Sequence, residues 1–201
     1  MFTFAIVILF VLKKGVFMAF NFNGNVPTKI VYNGNNVNTL IYNGVVVWTA
    51  ENYLFNNGSL GSGISISGAT ISGGKITAGV GSSASSDWEG DHEAEEAAIV
   101  VTISGLDLTN YSKLYISSTA YRVNAYGDAY CTVGIDTPHT YNFITDANGE
   151  GQNVNSTITI DVSGYTGVHS LQFYLYAYSH SSYTGYHSAV NLGITEIRLY
   201  N

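Results

Sequence analysis

An aromatic-Asn-Gly triplet recurs at a ten-residue step near the start of the chain, as Phe22-Asn23-Gly24, Tyr32-Asn33-Gly34 and Tyr42-Asn43-Gly44. Asn-Gly tolerates the positive φ angles of a type I′ turn, and Lys29-Ile30-Val31 and Leu40-Ile41, ahead of the second and third triplets, include strand formers. The repeat therefore predicts short strands folded back on tight turns, closing on Val45-Val46-Val47-Trp48. No later segment carries a helical period, while apolar and polar side chains alternate repeatedly. An all-β chain is expected, with a small N-terminal β-hairpin or meander module followed by an antiparallel β-sandwich.

The module boundary is placed near Glu51, ahead of a Gly/Ser-rich tract. Within that tract Ile64-Ser65-Ile66, Ala69-Thr70-Ile71 and the run from Lys75 to Val80 alternate as half-buried strands do. Stronger strand patterns run from Ala97 to Ile103, Lys113 to Ser117, Ala129 to Gly134, His169 to Leu175 and Ile194 to Tyr200. The order Asp, aliphatic, Ser or Thr, any residue, Tyr, Ser or Thr occurs twice, from Asp107 to Ser112 and from Asp161 to Thr166.

Two resemblances rest on these residues. The run from Asn21 to Trp48 resembles the N-terminal segment of minor tail or baseplate structural proteins of tailed bacteriophages, over about a seventh of the chain. It implies a virion protein, with residues 18–50 docking onto other tail or baseplate proteins and a homo-oligomer, ordinarily a trimer, as the working form. It implies no catalytic residue. The paired Asp-to-Tyr segments are similar to the strand crossings of jelly-roll and galactose-binding-like sandwiches, which implies such a fold for residues 51–201 with each Tyr tucked under the next strand.

Residues 1–17 read as a leader. Their apolar run from Phe2 to Leu12 has no basic region before it and no small-residue cleavage site after it. It falls short of the roughly 20 apolar residues that span a bilayer, so no membrane partner is expected. Lys13 to Phe17 can be encoded by a purine-rich stretch of ribosome-binding type just ahead of Met18, which makes Met18 the expected start. A working signal peptide here would instead mark a secreted, extracellular carbohydrate-binding module.

Charge excludes nucleic acid. The net charge is −7, and the seven Lys and Arg are scattered rather than gathered into a stripe that would neutralise phosphates. Cys131 is the single cysteine and lies in a strand pattern, so no intrachain disulfide forms and a buried, inert thiol is expected. No local motif pairs it with a His, and no enzymatic activity is expected.

Tyrosine, with 16 copies, is the informative excess. In one strand Phe173, Leu175 and Ala177 share a face, which puts Tyr174, Tyr176 and Tyr178 on the other. Tyr183 and Tyr186 follow, and Tyr121, Tyr126 and Tyr130 with Asn124 and Asp128 form a second group. Flat rings beside amides and carboxylates suit host-surface glycan, whose sugars present apolar C–H faces and a rim of hydroxyls; subunit contact is the competing use. Six of the 14 acids lie between Asp87 and Glu96. Asp87, Glu89, Asp91 and Glu93 alternate, so an extended segment would gather four oxygen ligands suited to Ca²⁺; a solvated acidic loop is the other outcome. Trp88, a large ring in this polar stretch, is a candidate contact residue.

Overall fold

The computed structural model describes the backbone of six strands within residues 1–50. It describes with side chains residues 51–84, 95–123, 127–145, 151–180 and 187–201, and the backbone alone at 124, 149, 150 and 186. The chain divides into two compact units, Met1–Ala50 and Glu51–Asn201.

Among its described residues the first unit contains three antiparallel hairpins, each its own two-stranded ladder. β1 (Ile8–Leu12) pairs with β2 (Gly15–Ala19), β3 (Ile30–Tyr32) with β4 (Asn35–Val37), and β5 (Thr39–Tyr42) with β6 (Val45–Thr49). Tyr32 pairs with Asn35 and Tyr42 with Val45, which leaves Asn33-Gly34 and Asn43-Gly44 as the two residues between the strands. That register matches the turn signal in the sequence. The turn residues themselves, the first triplet and the expected type I′ geometry lie outside the described residues. The apolar run expected to be a leader contributes β1, with Leu12 opposite Gly15.

The second unit carries β7 (Asn52–Asn56), β8 (Ser59–Leu60), β9 (Ser65–Ser67), β10 (Thr70–Ser72), β11 (Lys75–Ala84) and β12 (Glu95–Asp107). These are followed by β13 (Lys113–Asn124), β14 (Gly127–Ile135), β15 (Tyr141–Ile144), β16 (Gly149–Asp161), β17 (Val168–Ser179) and β18 (Tyr186–Tyr200). One sheet runs β10-β11-β18-β13-β16, and the other β15-β14-β17-β12-β9. Every pairing is antiparallel. From β11 onward each connection crosses to the opposite sheet except the β14–β15 hairpin, which is jelly-roll connectivity. The expected all-β sandwich is the observed fold. β18 is long enough to serve two partners along one edge: Tyr186 to Ile194 pair with β11, and β7 continues the sheet with Phe55 opposite Ile197.

Period-two patterning builds the core. Along β17, Leu171, Phe173, Leu175 and Ala177 are fully buried while the residues between them are not. Leu171, Phe173 and Leu175 share one core with Val101 and Ile103 of β12, Cys131 and Val133 of β14, and residues of the facing sheet such as Ile116 and Ile194. Phe143 packs on Phe173 with ring centroids 5.7 Å apart. In β12 a bulge between Ser104 and Leu106 lets the strand bend, and Gly105 there has φ +94, which a side chain would strain.

Cys131 is fully buried, and desolvation pushes its thiol far above the ordinary range. Its thiolate is therefore vanishingly scarce in the folded chain. Iodoacetamide is expected to leave Cys131 unmodified in buffer and to label it completely in denaturant. Labelling in buffer at the rate of a free thiol would show that this core opens.

Three connections close one end of the sandwich, each organised by an aspartate. Asp107 Oδ1 accepts from Thr109 N at 3.1 Å and from its hydroxyl at 2.6 Å; Asp161 Oδ1 accepts from Ser163 N at 3.0 Å and from its hydroxyl at 2.7 Å. The repeated sequence order is therefore a repeated Asx-type turn. The two tyrosines diverge. Tyr111 is half-buried against the core, as expected, but Tyr165 is 37% exposed and rests edge-on against His169 at 5.2 Å.

The third aspartate, Asp136, joins the β14–β15 connection to β17. Its carboxylate lies 2.7 Å from His169 Nδ1 and accepts from Ser170 N at 2.9 Å, while His169 Nε2 stands 3.1 Å from the Thr166 carbonyl. Both ring nitrogens face acceptors, which favours the imidazolium. The bond to Asp136 chiefly raises His169 above its ordinary 6.5, and the same bond chiefly holds Asp136 below its ordinary 3.8. The histidine's contribution is complete below pH 6.5 and is lost as pH rises through its folded value. The aspartate's is present above pH 3.8 and is lost as pH falls through its folded value, so the pair contributes most between 3.8 and 6.5. With Asp136 half exposed, the pair contributes about 0.5 kcal/mol. Thermal melts of the wild type are expected to lose that amount as pH rises from 6.5 through the folded value of His169, and His169→Gln to flatten the loss. Equal losses in both proteins would remove His169 as the cause.

Candidate functional site

The outer face of the β14-β17-β12 half of its sheet is aromatic. The alternation that buries Phe173, Leu175 and Ala177 leaves Tyr174, Tyr176 and Tyr178 half-exposed on the opposite side. Register then adds a ring the sequence could not place beside them, because Tyr130 of β14 lies directly opposite Tyr176. Tyr130 and Tyr176 have centroids 5.1 Å apart, and Tyr174 and Tyr176 stack at 6.1 Å with 20° between their planes. His139 meets Tyr174 edge-on at 4.6 Å, and Val100 of β12, opposite Tyr174, is 44% exposed. A continuous apolar and aromatic platform results.

Its electrostatics are simple. Burial first, then the hydrogen bond that Tyr176 donates to Glu96 Oε2 at 3.2 Å, pushes the Tyr176 hydroxyl up to about 12. Burial likewise pushes Tyr130 up, with Tyr174 and Asp128 adding to it. The Tyr130 and Tyr176 phenols are therefore neutral at physiological pH, and Tyr176 serves as a hydrogen-bond donor. At one end of the platform Tyr178 stands in register between Asp128 of β14 and Glu96 of β12. Rings bordered by carboxylates can stack on the C–H faces of a sugar and accept from its hydroxyls.

No known protein-family model matches the chain, and a search of curated proteins finds no relative.

Of the residues singled out from sequence, Tyr174, Tyr176, Tyr178 and Asp128 stand on this platform. Tyr186 enters as the first residue of β18, opposite Ala84, with only its backbone described. Tyr126, Tyr183, Trp88 and the proposed Ca²⁺ ligands Asp87, Glu89, Asp91 and Glu93 lie outside the described residues. Among the described residues no group of three or more His, Cys, Asp or Glu side chains is placed to hold a metal ion. The expected grouping of Tyr121 with Tyr130 is corrected by the topology. β13 and β14 belong to different sheets, so Tyr121 and Tyr130 stand on opposite outer faces of the sandwich.

Tyr121 belongs to a feature that sequence reasoning missed. Across the outer face of β11, β18, β13 and β16 runs an open groove of about 740 Å³. One row of residues in register crosses it as Thr77, Gly193, Thr119 and Asn155, and the next as Gly79, Asn191, Tyr121 and Asn153. The pattern of small and polar residues on these strands was visible in the sequence. Their register was not.

Proposed function

We infer that residues 51–201 form a noncatalytic recognition module that binds a host-surface carbohydrate on the tyrosine platform. In this reading the N-terminal hairpin unit attaches it to a phage tail or baseplate. The observation that carries the carbohydrate reading is the contiguous array of Tyr130, Tyr174 and Tyr176, half-exposed and flanked by Glu96 and Asp128. The attachment reading rests on the Asn-Gly hairpin repeat.

A second reading is favoured by Val100, whose exposure beside the rings extends the apolar surface. Tyrosine-rich platforms also suit subunit contacts, and a neighbouring copy or another virion protein would then cover the face. The deciding experiment presents the full chain to purified cell-surface polysaccharides of bacterial hosts, with and without EDTA, alongside sedimentation to fix its oligomeric state. Saturable binding is the expected result. Loss of binding in EDTA would give Asp87, Glu89, Asp91 and Glu93 a Ca²⁺ role. Absence of binding to every polysaccharide, together with a stable oligomer, would replace the glycan reading with the assembly reading.

A further inference from the structure

We propose that the groove on the β11-β18-β13-β16 face is a second binding site, separate from the tyrosine platform, for a carboxylated saccharide of the hexuronate class. Its volume of about 740 Å³ is that of a small-molecule site, which typically spans roughly 300–1,000 Å³. Glycines let polar side chains lie flat across its floor. Lys75 reaches across Gly193 to donate from Nζ to Thr119 Oγ1 at 2.8 Å, and a Cβ at Gly193 would fall 3.1 Å from both Lys75 Cδ and Thr119 Oγ1. Asn191 lies over Gly79, where a Cβ would collide with its Oδ1. Tyr121, 41% exposed, stands beside these amides as an aromatic wall.

The chemistry of the lining selects the ligand. Asn153, Asn155 and Asn191 bring amides that both donate and accept, and Thr77 and Thr119 bring hydroxyls, a set matched to the hydroxyl rim of a sugar. Among the described residues no carboxylate lines the groove, although the chain as a whole carries a net charge of −7. Lys75 is the one cation among its described lining residues. Its bond to Thr119 uses one of three N–H donors and holds the ammonium in place, leaving two for a ligand oxygen. A ligand carboxylate supplies the counter-charge in a charge-assisted pair. The tyrosine platform, bordered by Glu96 and Asp128, presents the opposite sign and suits neutral sugars.

The test titrates the full chain with oligogalacturonate and oligoglucuronate and with their neutral methyl esters, by calorimetry and by amide chemical shifts. Saturable binding of an acid is expected. Methyl esterification and Lys75→Met should each weaken it roughly tenfold, and rising salt should weaken it further. Asn155→Ala, a change at an exposed position, should weaken binding without altering the melting temperature and serves if Lys75→Met misfolds. The Tyr174→Ala/Tyr176→Ala double variant should bind the acid as the wild type does, which keeps this site distinct from the platform. Equal binding of ester and acid, undiminished binding by both Lys75→Met and Asn155→Ala, or loss with the tyrosines would overturn the proposal. So would the lack of saturable binding of either acid below about 10 mM.

Discussion

Replacing Phe173 with alanine is expected to lower the unfolding free energy by about 3–5 kcal/mol, the range for large aromatic truncations in a core. Phe173 is fully buried, pairs with Val101 on one side and Val133 on the other, and packs on Phe143. Its removal costs the transfer free energy of the ring and leaves a cavity that three strands pinned by hydrogen bonds cannot close. In urea the transition midpoint should fall at an unchanged slope. Phe173→Leu, which keeps most of the volume, should cost much less. A Phe173→Ala protein with wild-type stability would mean that the two sheets are not packed through this residue.

One residue along the same strand, the expected consequence reverses. The double change Tyr174→Ala/Tyr176→Ala should weaken glycan binding at the platform by at least about a hundredfold, each ring contributing about 1.4 kcal/mol or more. Its stability cost should stay near 1–2 kcal/mol, because both rings are half-exposed and lose mainly their contacts with each other, Tyr130 and His139. Tyr176→Phe separates ring from hydroxyl. It keeps the stacking, removes the bond to Glu96 and should change binding by only a few-fold. Full binding by the double variant, with near-ultraviolet circular dichroism showing an intact fold, would exclude the platform as the site. A fall in oligomer stability in place of binding would identify it as a subunit contact.

Much of the architecture was visible in the chain because each signal is local. Alternation from Leu171 to Tyr178 fixes which side chains share a face once the segment is extended, and the structure keeps that division. Asp107 and Asp161 form equivalent turns because an aspartate two residues before Thr109 or Ser163 can accept from its amide and hydroxyl without help from the rest of the fold. The strands β15 and most of β16 were less visible. Tyr141 to Ile144 is short, and Gly149 to Ser156 mixes Gly, Asn and Gln with a single Val, so the apolar face that marks a strand is nearly missing.

By itself the sequence determined the all-β class, the hairpin register at two Asn-Gly pairs, and the outward side of the Tyr174 strand. Only the tertiary structure decided which strands became neighbours. It brought Tyr130 beside Tyr176, sent Tyr121 to the opposite sheet, and set Lys75 against Thr119, 44 residues away, to form a groove. The reason is physical. A period of two belongs to each strand alone, but the choice of hydrogen-bonded partner is made by how the buried faces of all the strands pack at once.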